Sequence, residues 1–295
     1  MKLITFKNAV NGEENYRIGA LVDEKSIVDL TSLISAKSLT ASELLQCFDL
    51  ENDFLEKAKS YLAQDSEKTI YAKQDVKIAP PVPRPGKIIC VGLNYRDHAE
   101  ESGMAIPTSP ITFSKYVTCI AAPNDEIIVP SKSEQTDYES ELAFVIGRRA
   151  KNVKKENAMD YVLGYTNFND VSARDFQFAD GQWTRGKSCD TFAPIGEYIA
   201  TADEITDPHN LRIQFRLNGE TMQDSSTNQL IFRIPEIIEF LSQAMTFEPG
   251  DIIATGTPPG VGFARKPPVF LKDGDIAEVE IEGLGVLLNP VRKDV

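Results

Sequence analysis

Two glutamates on one predicted strand are the residues of this chain best suited to bind a metal ion. Glu139 and Glu141 lie two residues apart in the segment DYESELAFVIG, and in a β-strand this spacing directs both carboxylates to one face of the sheet, about 7 Å apart. Two carboxylates that close raise each other's pKa unless a cation lies between them. Asp170 ends another strand-like run, GYTNFND, and is a third candidate ligand. Three hard oxygen ligands favour Mg²⁺, Mn²⁺ or Ca²⁺ over zinc.

The residues that follow the glutamates favour this metal site over the plain alternative, an exposed sheet face that alternates glutamate with apolar residues. Ala143 and Val145 continue the face that carries the two glutamates. That face is therefore apolar at one end and is predicted to be buried there, which a solvated charged face would not be.

A histidine and a glutamate form a second candidate site. The segment VGLNYRDHAEESGM is predicted to be a strand that leads into a short polar segment; if that segment is helical, His98 and Glu101 are three residues apart and can touch. A carboxylate beside an imidazole fixes its tautomer and raises its basicity, as a water-activating general base requires. The alternative is a surface histidine on a charged helix. The other histidine, His209, lies in a turn before a strand and is expected at the surface.

Basic residues cluster in the segment TRGKSCDTFAP, where Arg185 and Lys187 follow soon after Arg174. An acidic protein needs such local positive charge to hold a substrate carboxylate, and an ammonium can stabilise a developing enolate oxygen beside a metal. The alternative is a set of ordinary solvated basic residues. Trp183, close to this cluster, is either a wall of the substrate pocket or, as we expect, a buried core residue.

A loop rich in glycine and proline, ATGTPPGVGF, follows another predicted strand. It carries Thr255 and Thr257, whose hydroxyls and neighbouring amides could hold a small carboxylate. The loop lacks the Gly-Lys-Ser/Thr ending of a phosphate-binding loop, so nucleotide binding is not predicted. A plain tight turn is the alternative.

Two unequal units are predicted to position these residues. Residues 1–76 are predicted to form a small α+β domain, in which short strands precede a helix over 52–64 with Asn52 as its cap. Residues 77–86 are a proline-rich linker, and residues 87–295 carry the chemistry.

Strand signals dominate the second unit, and its clearest helix is predicted over residues 235–245, with Pro235 in the first turn. Many strands with few helices predict a mainly β fold with some α, in which the sheet is rolled or sandwiched.

The composition argues against several classes of protein. The chain has 295 residues, 42% of them hydrophobic, and can bury a substantial core. Its net charge of -13 disfavours binding to nucleic acid or to an anionic membrane surface. Four cysteines without a CxxC pair indicate reduced thiols. The first residues turn polar before a signal-peptide core could form, and no apolar run approaches the length of a membrane span, so a cytoplasmic protein is expected.

Six motifs occur in the order found in the fumarylacetoacetate hydrolase family, which the chain resembles over about residues 86–290. They are GLNYRDHAEE, DYESELAFVIG, NDVSARDFQ, TRGKSCDTFAPIG, NGETMQ and GDIIATGTPPGVG. The resemblance implies a mixed β-sandwich roll in the C-terminal domain, preceded by a short N-terminal domain like that of bacterial-type members, and a homodimer. The stretch FQFADGQWTRGKS is similar to a branch that includes 2,4-diketo-3-deoxy sugar-acid hydrolases.

The resemblance also implies a role for each candidate residue. Glu139, Glu141 and Asp170 match the family's ligands for Mg²⁺ or Mn²⁺. Lys187 matches its active-site lysine, and His98 with Glu101 its lid-borne catalytic dyad. The positions that line the substrate pocket are matched by Arg174, Gln177 and Thr257.

The expected activity is metal-dependent cleavage of a carbon-carbon bond in a small anionic 2-oxo or 2,4-dioxo acid, such as an acylpyruvate or a diketo-deoxy sugar acid, through a pyruvate-type enolate. The alternative is an oxaloacetate decarboxylase, or a related isomerase or decarboxylase, that uses the same metal site. A binding module braced by Ca²⁺ is the alternative outside the enzymes.

Overall fold

The computed structural model of this chain describes residues 1–8, 15–101, 103–179 and 181–294, and strands dominate it. The α-helices of these ranges are α1 Ala41–Gln46, α2 Phe54–Ala63, α3 Arg96–Glu101, α4 Arg174–Ala179, α5 Trp183–Lys187 and α6 Ile234–Ala244. None of them has the length and apolar character that a bilayer crossing needs. The mainly β class with some α is confirmed.

The twenty strands of the described ranges form two main sheets and two short strand pairs. They are β1 Lys2–Lys7, β2 Arg17–Leu21, β3 Ser26–Asp29, β4 Ile70–Ala72, β5 Lys77–Ile78, β6 Ile88–Gly92, β7 Ile111–Lys115, β8 Ile120–Ala121, β9 Ile127–Val129, β10 Thr136–Asp137, β11 Ser140–Ile146, β12 Val162–Asn169, β13 Ser172–Ala173, β14 Ala193–Pro194, β15 Tyr198–Thr201, β16 Arg212–Leu217, β17 Glu220–Ser226, β18 Ile252–Ala254, β19 Ile276–Ile281 and β20 Gly285–Lys293.

The larger sheet has eleven strands in the order β4-β3-β2-β1-β15-β12-β11-β18-β6-β7, with β5 beside β1. The smaller one has five strands in the order β17-β16-β19-β20-β9. Strands β11 and β12 pack against β16, β19 and β20, so the two sheets face each other across a shared apolar core. The stacked rings of Tyr138 and Phe215, 4.2 Å apart, lie in this core. This is the sandwiched arrangement that many short strands predict.

The N-terminal residues extend the larger sheet, because β1 pairs antiparallel with β15 through Leu3 and Ile199.

Helix α2 begins within the predicted range. Asn52 accepts the N–H of Phe54 at 2.9 Å, although the residue that borders the helix is Asp53. The pair Asn11-Gly12, which in the sequence predicts a turn between the first two strands, lies outside the described residues. The division into residues 1–76, 77–86 and 87–295 stays a prediction.

The pairing of the central strands brings the candidate residues to one end of the large sheet. Strand β11 is buried along its whole length and runs antiparallel to both β12 and β18, with Glu141 opposite Phe168 and Ala143 opposite Ala254. The start of β11 therefore lies beside the ends of β12 and β18. Strand β6 runs parallel to β18 and leads to α3 at the same end. The start of β11 and the ends of β12, β18 and β6 therefore surround one region.

Helix α6 begins one residue before the predicted start, and His209 lies at its N-terminus. The surface position expected for His209 is wrong: its side chain is only 11% exposed, and its Nε2 accepts the N–H of Ile234 at 3.2 Å. Burial, followed by the positive charge of Arg233, lowers the pKa of His209 below its ordinary value. Protonation of Nε2 would remove the acceptor that this helix end uses.

The stability of the fold is therefore expected to decrease when the pH falls from about 7.5 to about 5.5, across the ordinary histidine pKa of about 6.5. In that window the unfolded chain takes up a proton on His209 more readily than the folded chain, so acid favours unfolding. His209→Gln keeps an acceptor that does not titrate, and we expect a weaker dependence on pH in this variant. Denaturant unfolding at both pH values measures the difference, and equal dependence in the two proteins would contradict the prediction.

Candidate metal centre and active site

Three buried carboxylates meet at the strand ends, and we call Glu139, Glu141 and Asp170 the carboxylate trio. Each offers an oxygen atom, and these atoms all lie within 4.8 Å of one another. Glu141 belongs to β11, Glu139 precedes it, and Asp170 directly follows β12. The N–H of Asp170 donates to the carbonyl of Glu139 at 2.9 Å, which joins the two strand ends. The structure thus brings together the three residues that the sequence singled out as ligands.

Two cations hold the carboxylate trio from the side of α4 and α5. Lys187 Nζ donates to Glu139 at 2.6 Å and to Asp170 at 2.8 Å, and Arg174 Nη2 donates to Glu139 at 2.6 Å. Gly186 makes this arrangement possible, since a Cβ there would lie 2.5 Å from the backbone nitrogen of Gln177. The two short helices can therefore pack closely and bring both cations to the same carboxylate.

Lys115 is a third cation at the trio, and the sequence alone does not single it out. Its buried Nζ contacts the Asp170 carboxylate and donates to the carbonyl of Val171 at 3.0 Å. The one signal in the sequence is a lysine on the face that Ile111 and Phe113 occupy in the strand ITFSK. That signal is weak, because such a lysine more often reaches solvent.

The carboxyl groups of the trio differ in their affinity for protons. Burial acts to raise the pKa of Glu139, but Lys187 and Arg174 outweigh it and hold the pKa below its ordinary value. Burial, followed by the charges of Asp170 and Glu139, raises the pKa of Glu141 well above its ordinary value. The N–H of Gly256 donates to Glu141 at 2.8 Å and offsets this in part. A divalent cation among three carboxylate oxygens would supply the positive charge that Glu141 lacks, so the donor set fits Mg²⁺ or Mn²⁺.

Arg174 donates hydrogen bonds to three buried side chains, which the sequence does not indicate. Its Nε donates to Asp137 at 2.9 Å and its Nη1 to Gln177 at 3.0 Å, in addition to the bond with Glu139. Asp137, also missed from the sequence, further accepts the N–H of Gly262 at 2.7 Å. Two buried carboxylates, those of Asp137 and Glu139, therefore already offset the charge of Arg174 before any ligand binds.

Arg185 is not brought into this group. Its side chain is exposed, and its guanidinium lies 4.7 Å from the ring centroid of Phe176. The alternative of an ordinary solvated arginine is the correct one here.

The histidine and glutamate of α3 are in contact, as their spacing indicates. His98 Nδ1 lies 3.2 Å from Glu101 Oε2, and the N–H of Gly260 donates to the same carboxylate at 3.1 Å. Because Nδ1 faces Glu101, Nε2 is the ring nitrogen left for proton transfer. His98 is buried, so a solvated surface histidine is excluded.

A cavity of about 140 Å³ joins these groups. Its polar lining consists of His98, Glu139, Glu141, Arg174, Gln177, Lys187 and Thr257. Apolar side chains complete the wall, among them Phe113, Phe263 and Trp183. Trp183 therefore lies at the pocket and not in the core as expected. Gly92 makes room for it, because a Cβ at that position would lie 2.6 Å from the indole ring.

The two threonines of the loop 255–263 differ in their surroundings. Thr255 donates its hydroxyl to the carbonyl of Leu142 at 2.8 Å and does not line the cavity, so the role considered for it in carboxylate binding is wrong. Thr257 lines the cavity, and its Oγ1 accepts a hydrogen bond from Gln223 Nε2 at 2.8 Å.

The chain is similar to known proteins along its whole length. Residues 87–292 match the family described as fumarylacetoacetate (FAA) hydrolase C-terminal. Oxaloacetate tautomerase fahd2, mitochondrial, from Xenopus laevis is 44% identical over 294 residues, which cover 99% of this chain and 90% of the relative. The solved fumarylacetoacetate hydrolase from Exiguobacterium antarcticum is 35% identical with a TM-score of 0.84, and the match covers 100% of both chains. The maleylpyruvate hydrolase from Sphingobium sp. SYK-6, solved in complex with manganese (II) ion and pyruvate, is 30% identical with a TM-score of 0.82 over 100% of both chains.

The charge of the trio leads to a test by thermal unfolding. Mn²⁺ or Mg²⁺ at one hundred times its dissociation constant should stabilise the wild-type protein by about 2.7 kcal/mol. Glu141→Gln removes a buried charge that has no cationic partner among the described residues, so we expect this variant to melt higher than wild type without metal and to gain little from added metal. Glu100→Gln, at an exposed position of α3, is the matched control and should respond to metal as wild type does. An undiminished metal response in Glu141→Gln would contradict the assignment of Glu141 as a ligand.

Proposed function

The chain belongs to the fumarylacetoacetate hydrolase family and is an enzyme of that family, and on this premise we propose that it interconverts the keto and enol forms of oxaloacetate or of an equally short 2-oxo diacid, with a divalent metal ion. The observation that carries the proposal is the small cavity lined by His98, Lys187 and two members of the carboxylate trio, Glu139 and Glu141. Because the chain belongs to a family of enzymes, we reject the alternative of a binding module braced by Ca²⁺.

The size of the cavity supports a short substrate. Its volume of about 140 Å³ is well below the 300–1,000 Å³ that is typical of pockets for drug-sized ligands. A four-carbon diacid suits such a space better than a diketo-deoxy sugar acid with its row of hydroxyls. The Xenopus relative, which bears the name of an oxaloacetate tautomerase, supports the same choice. We therefore prefer the alternative from the sequence, an isomerase or decarboxylase that acts on oxaloacetate, to a hydrolase of acylpyruvates or diketo-deoxy sugar acids.

The metal ion, when bound by the carboxylate trio, would act as a Lewis acid toward the oxygen atoms of the 2-oxo acid. Lys187 would stabilise negative charge on the 2-oxo oxygen during the reaction. Burial acts to lower the pKa of Lys187, but Asp170 and Glu139 outweigh it, and the pKa is raised above its ordinary value. Lys187 therefore stays an ammonium and serves as a fixed positive charge, not as a base.

His98 is the proposed proton carrier for the carbon next to the 2-oxo group. Its Nε2 would take a proton from that carbon to leave an enolate, and the imidazolium would then give the same proton to the 2-oxo oxygen to form the enol. The reverse transfers would return the keto form. Glu101 holds Nδ1–H and thereby fixes the tautomer that leaves Nε2 as the base. Hydrolysis of an acylpyruvate would use the same pair to activate water, which explains how one site can serve related reactions.

Two predictions about the whole protein remain proposals. We expect a homodimer, which sedimentation equilibrium would test, and a cytoplasmic protein. The Xenopus relative is named as mitochondrial, so fractionation of cells that express this chain is the direct test of its location.

Activity on oxaloacetate is the first test of the proposal. Decay of the ultraviolet absorbance of the enol should be faster with protein and Mg²⁺ or Mn²⁺ than with the metal alone, and a chelator should remove the difference. Pyruvate release, followed in parallel with oxaloacetate and with an acylpyruvate, separates tautomerisation from decarboxylation and from hydrolysis. Metal-dependent cleavage of the acylpyruvate without any effect on the enol would restore the hydrolase as the better assignment.

The pair on α3 gives a second test. His98→Asn should lower kcat for the tautomerisation by about 10²- to 10⁴-fold, the usual contribution of a positioned acid or base. Glu101→Gln should have a smaller effect, because it keeps His98 in place and removes only the charge behind it. His209→Gln is the matched control at the other histidine and should leave kcat unchanged. A rate for His98→Asn within about threefold of wild type would exclude His98 as the proton carrier.

A further inference from the structure

Gln223 is a buried amide beside the cavity, and the proposed chemistry does not involve it. It lies on β17 with 1% of its surface exposed. Its Nε2 donates to Thr257 Oγ1 and to the carbonyl of Pro258, each at 2.8 Å. Its Oε1 accepts the N–H of Ser140 at 3.0 Å and the hydroxyl of Ser140 at 3.1 Å. All four bonds are made within the protein interior, so the amide has one orientation.

The backbone partners fix that orientation. The N–H of Ser140 can only donate, and the carbonyl of Pro258 can only accept. A reversed amide would place its NH₂ against the first and its oxygen against the second. The oxygen of Gln223 therefore faces β11, and its nitrogen faces the loop 255–263.

This orientation decides what the hydroxyl of Thr257 can do. A hydroxyl carries one hydrogen atom, and because Thr257 Oγ1 accepts from Gln223, that hydrogen is left for another acceptor. Among the hydrogen bonds of residues 1–8, 15–101, 103–179 and 181–294, none uses Thr257 as a donor. Thr255 differs, since its hydroxyl is already donated to Leu142. Thr257 thus brings a directed donor to the cavity wall.

We propose that Gln223 is a positioning residue that makes the Thr257 hydroxyl a donor to an anionic oxygen of the substrate. The inference rests on the proposed function for the anionic character of that substrate. Gln223 also sets the distance between this donor and the metal ligands, because Ser140 lies between Glu139 and Glu141. A carboxylate or enolate oxygen is the group this arrangement selects, whereas a group that itself donates a hydrogen bond would meet the hydroxyl proton.

Binding of oxalate to the Mg²⁺-saturated protein, measured by calorimetry, tests the inference without turnover. Thr257→Val should weaken binding by about 10- to 100-fold, the loss expected for a hydrogen bond to a charged group. Thr257→Ser should keep the affinity within about threefold, since it retains the hydroxyl. Thr255→Val, two residues away, is the matched control: it should lower the melting temperature but keep the oxalate affinity.

Gln223→Glu tests the orienting role. An ionised carboxylate accepts hydrogen bonds and would draw the Thr257 proton away from the cavity, so we expect a loss similar to that of Thr257→Val. In the double variant the two losses should not add, because both act through one hydroxyl. If the buried carboxylate prevents folding, Gln223→Met replaces it, with an expected loss of several-fold that disappears in the Thr257→Val background.

Several results would overturn the inference. They are oxalate affinity in Thr257→Val within about threefold of wild type, additive losses in the double variant, or a Gln223 variant that folds and binds oxalate as wild type does. Failure of the protein to act on oxaloacetate, with the expected pattern of oxalate binding, would count against the proposed function alone.

Discussion

Buried negative charge in excess of the positive charge around it is the constraint on which this site depends. Four buried acidic residues lie together with three buried basic ones; they are Asp137, Glu139, Glu141, Asp170, Lys115, Arg174 and Lys187. Each base already contacts at least one carboxylate. Burial of such an excess is costly unless a further cation joins it. A divalent ion would make the net charge of this buried group positive, and the cavity would then attract a dianionic acid.

The loop 255–263 contacts three parts of the site through its backbone. The N–H of Gly256 donates to Glu141, that of Gly260 to Glu101, and that of Gly262 to Asp137, the partner of Arg174. At Gly262 a Cβ would lie 1.8 Å from the carbonyl of Val269, so a larger residue cannot occupy the position without a shift. A metal ligand, the proton-transfer pair and a cation therefore share one support, and displacement of this loop would disturb all three at once.

The shared chemistry explains why the family membership determines the reaction class more closely than the substrate. Tautomerisation, decarboxylation and hydrolysis of 2-oxo acids all develop negative charge on the 2-oxo oxygen, and we propose that Lys187 and a metal ion held by the trio would stabilise that charge. The rest of the cavity wall includes Trp183, Phe263 and Thr257, and we propose that these side chains select the substrate. Thr257 and Phe263 belong to the loop 255–263, and Trp183 begins the short helix α5. Loops vary more among related proteins than the strands and helices they connect.

The sequence by itself determined the strand-rich class, the positions of helices such as α6, and the residue types of the trio and of the α3 pair, because alternation and helical spacing are local properties of the chain. Only the tertiary structure decided the contacts of Lys115, Asp137 and Gln223, the burial of His209, and the difference between Thr255 and Thr257. Each of these depends on a partner far away in the sequence, as when Lys115 meets Asp170 or Gln223 meets Ser140. The direction of a buried hydrogen bond depends on such distant partners, and the spacing of residues along one strand does not determine it.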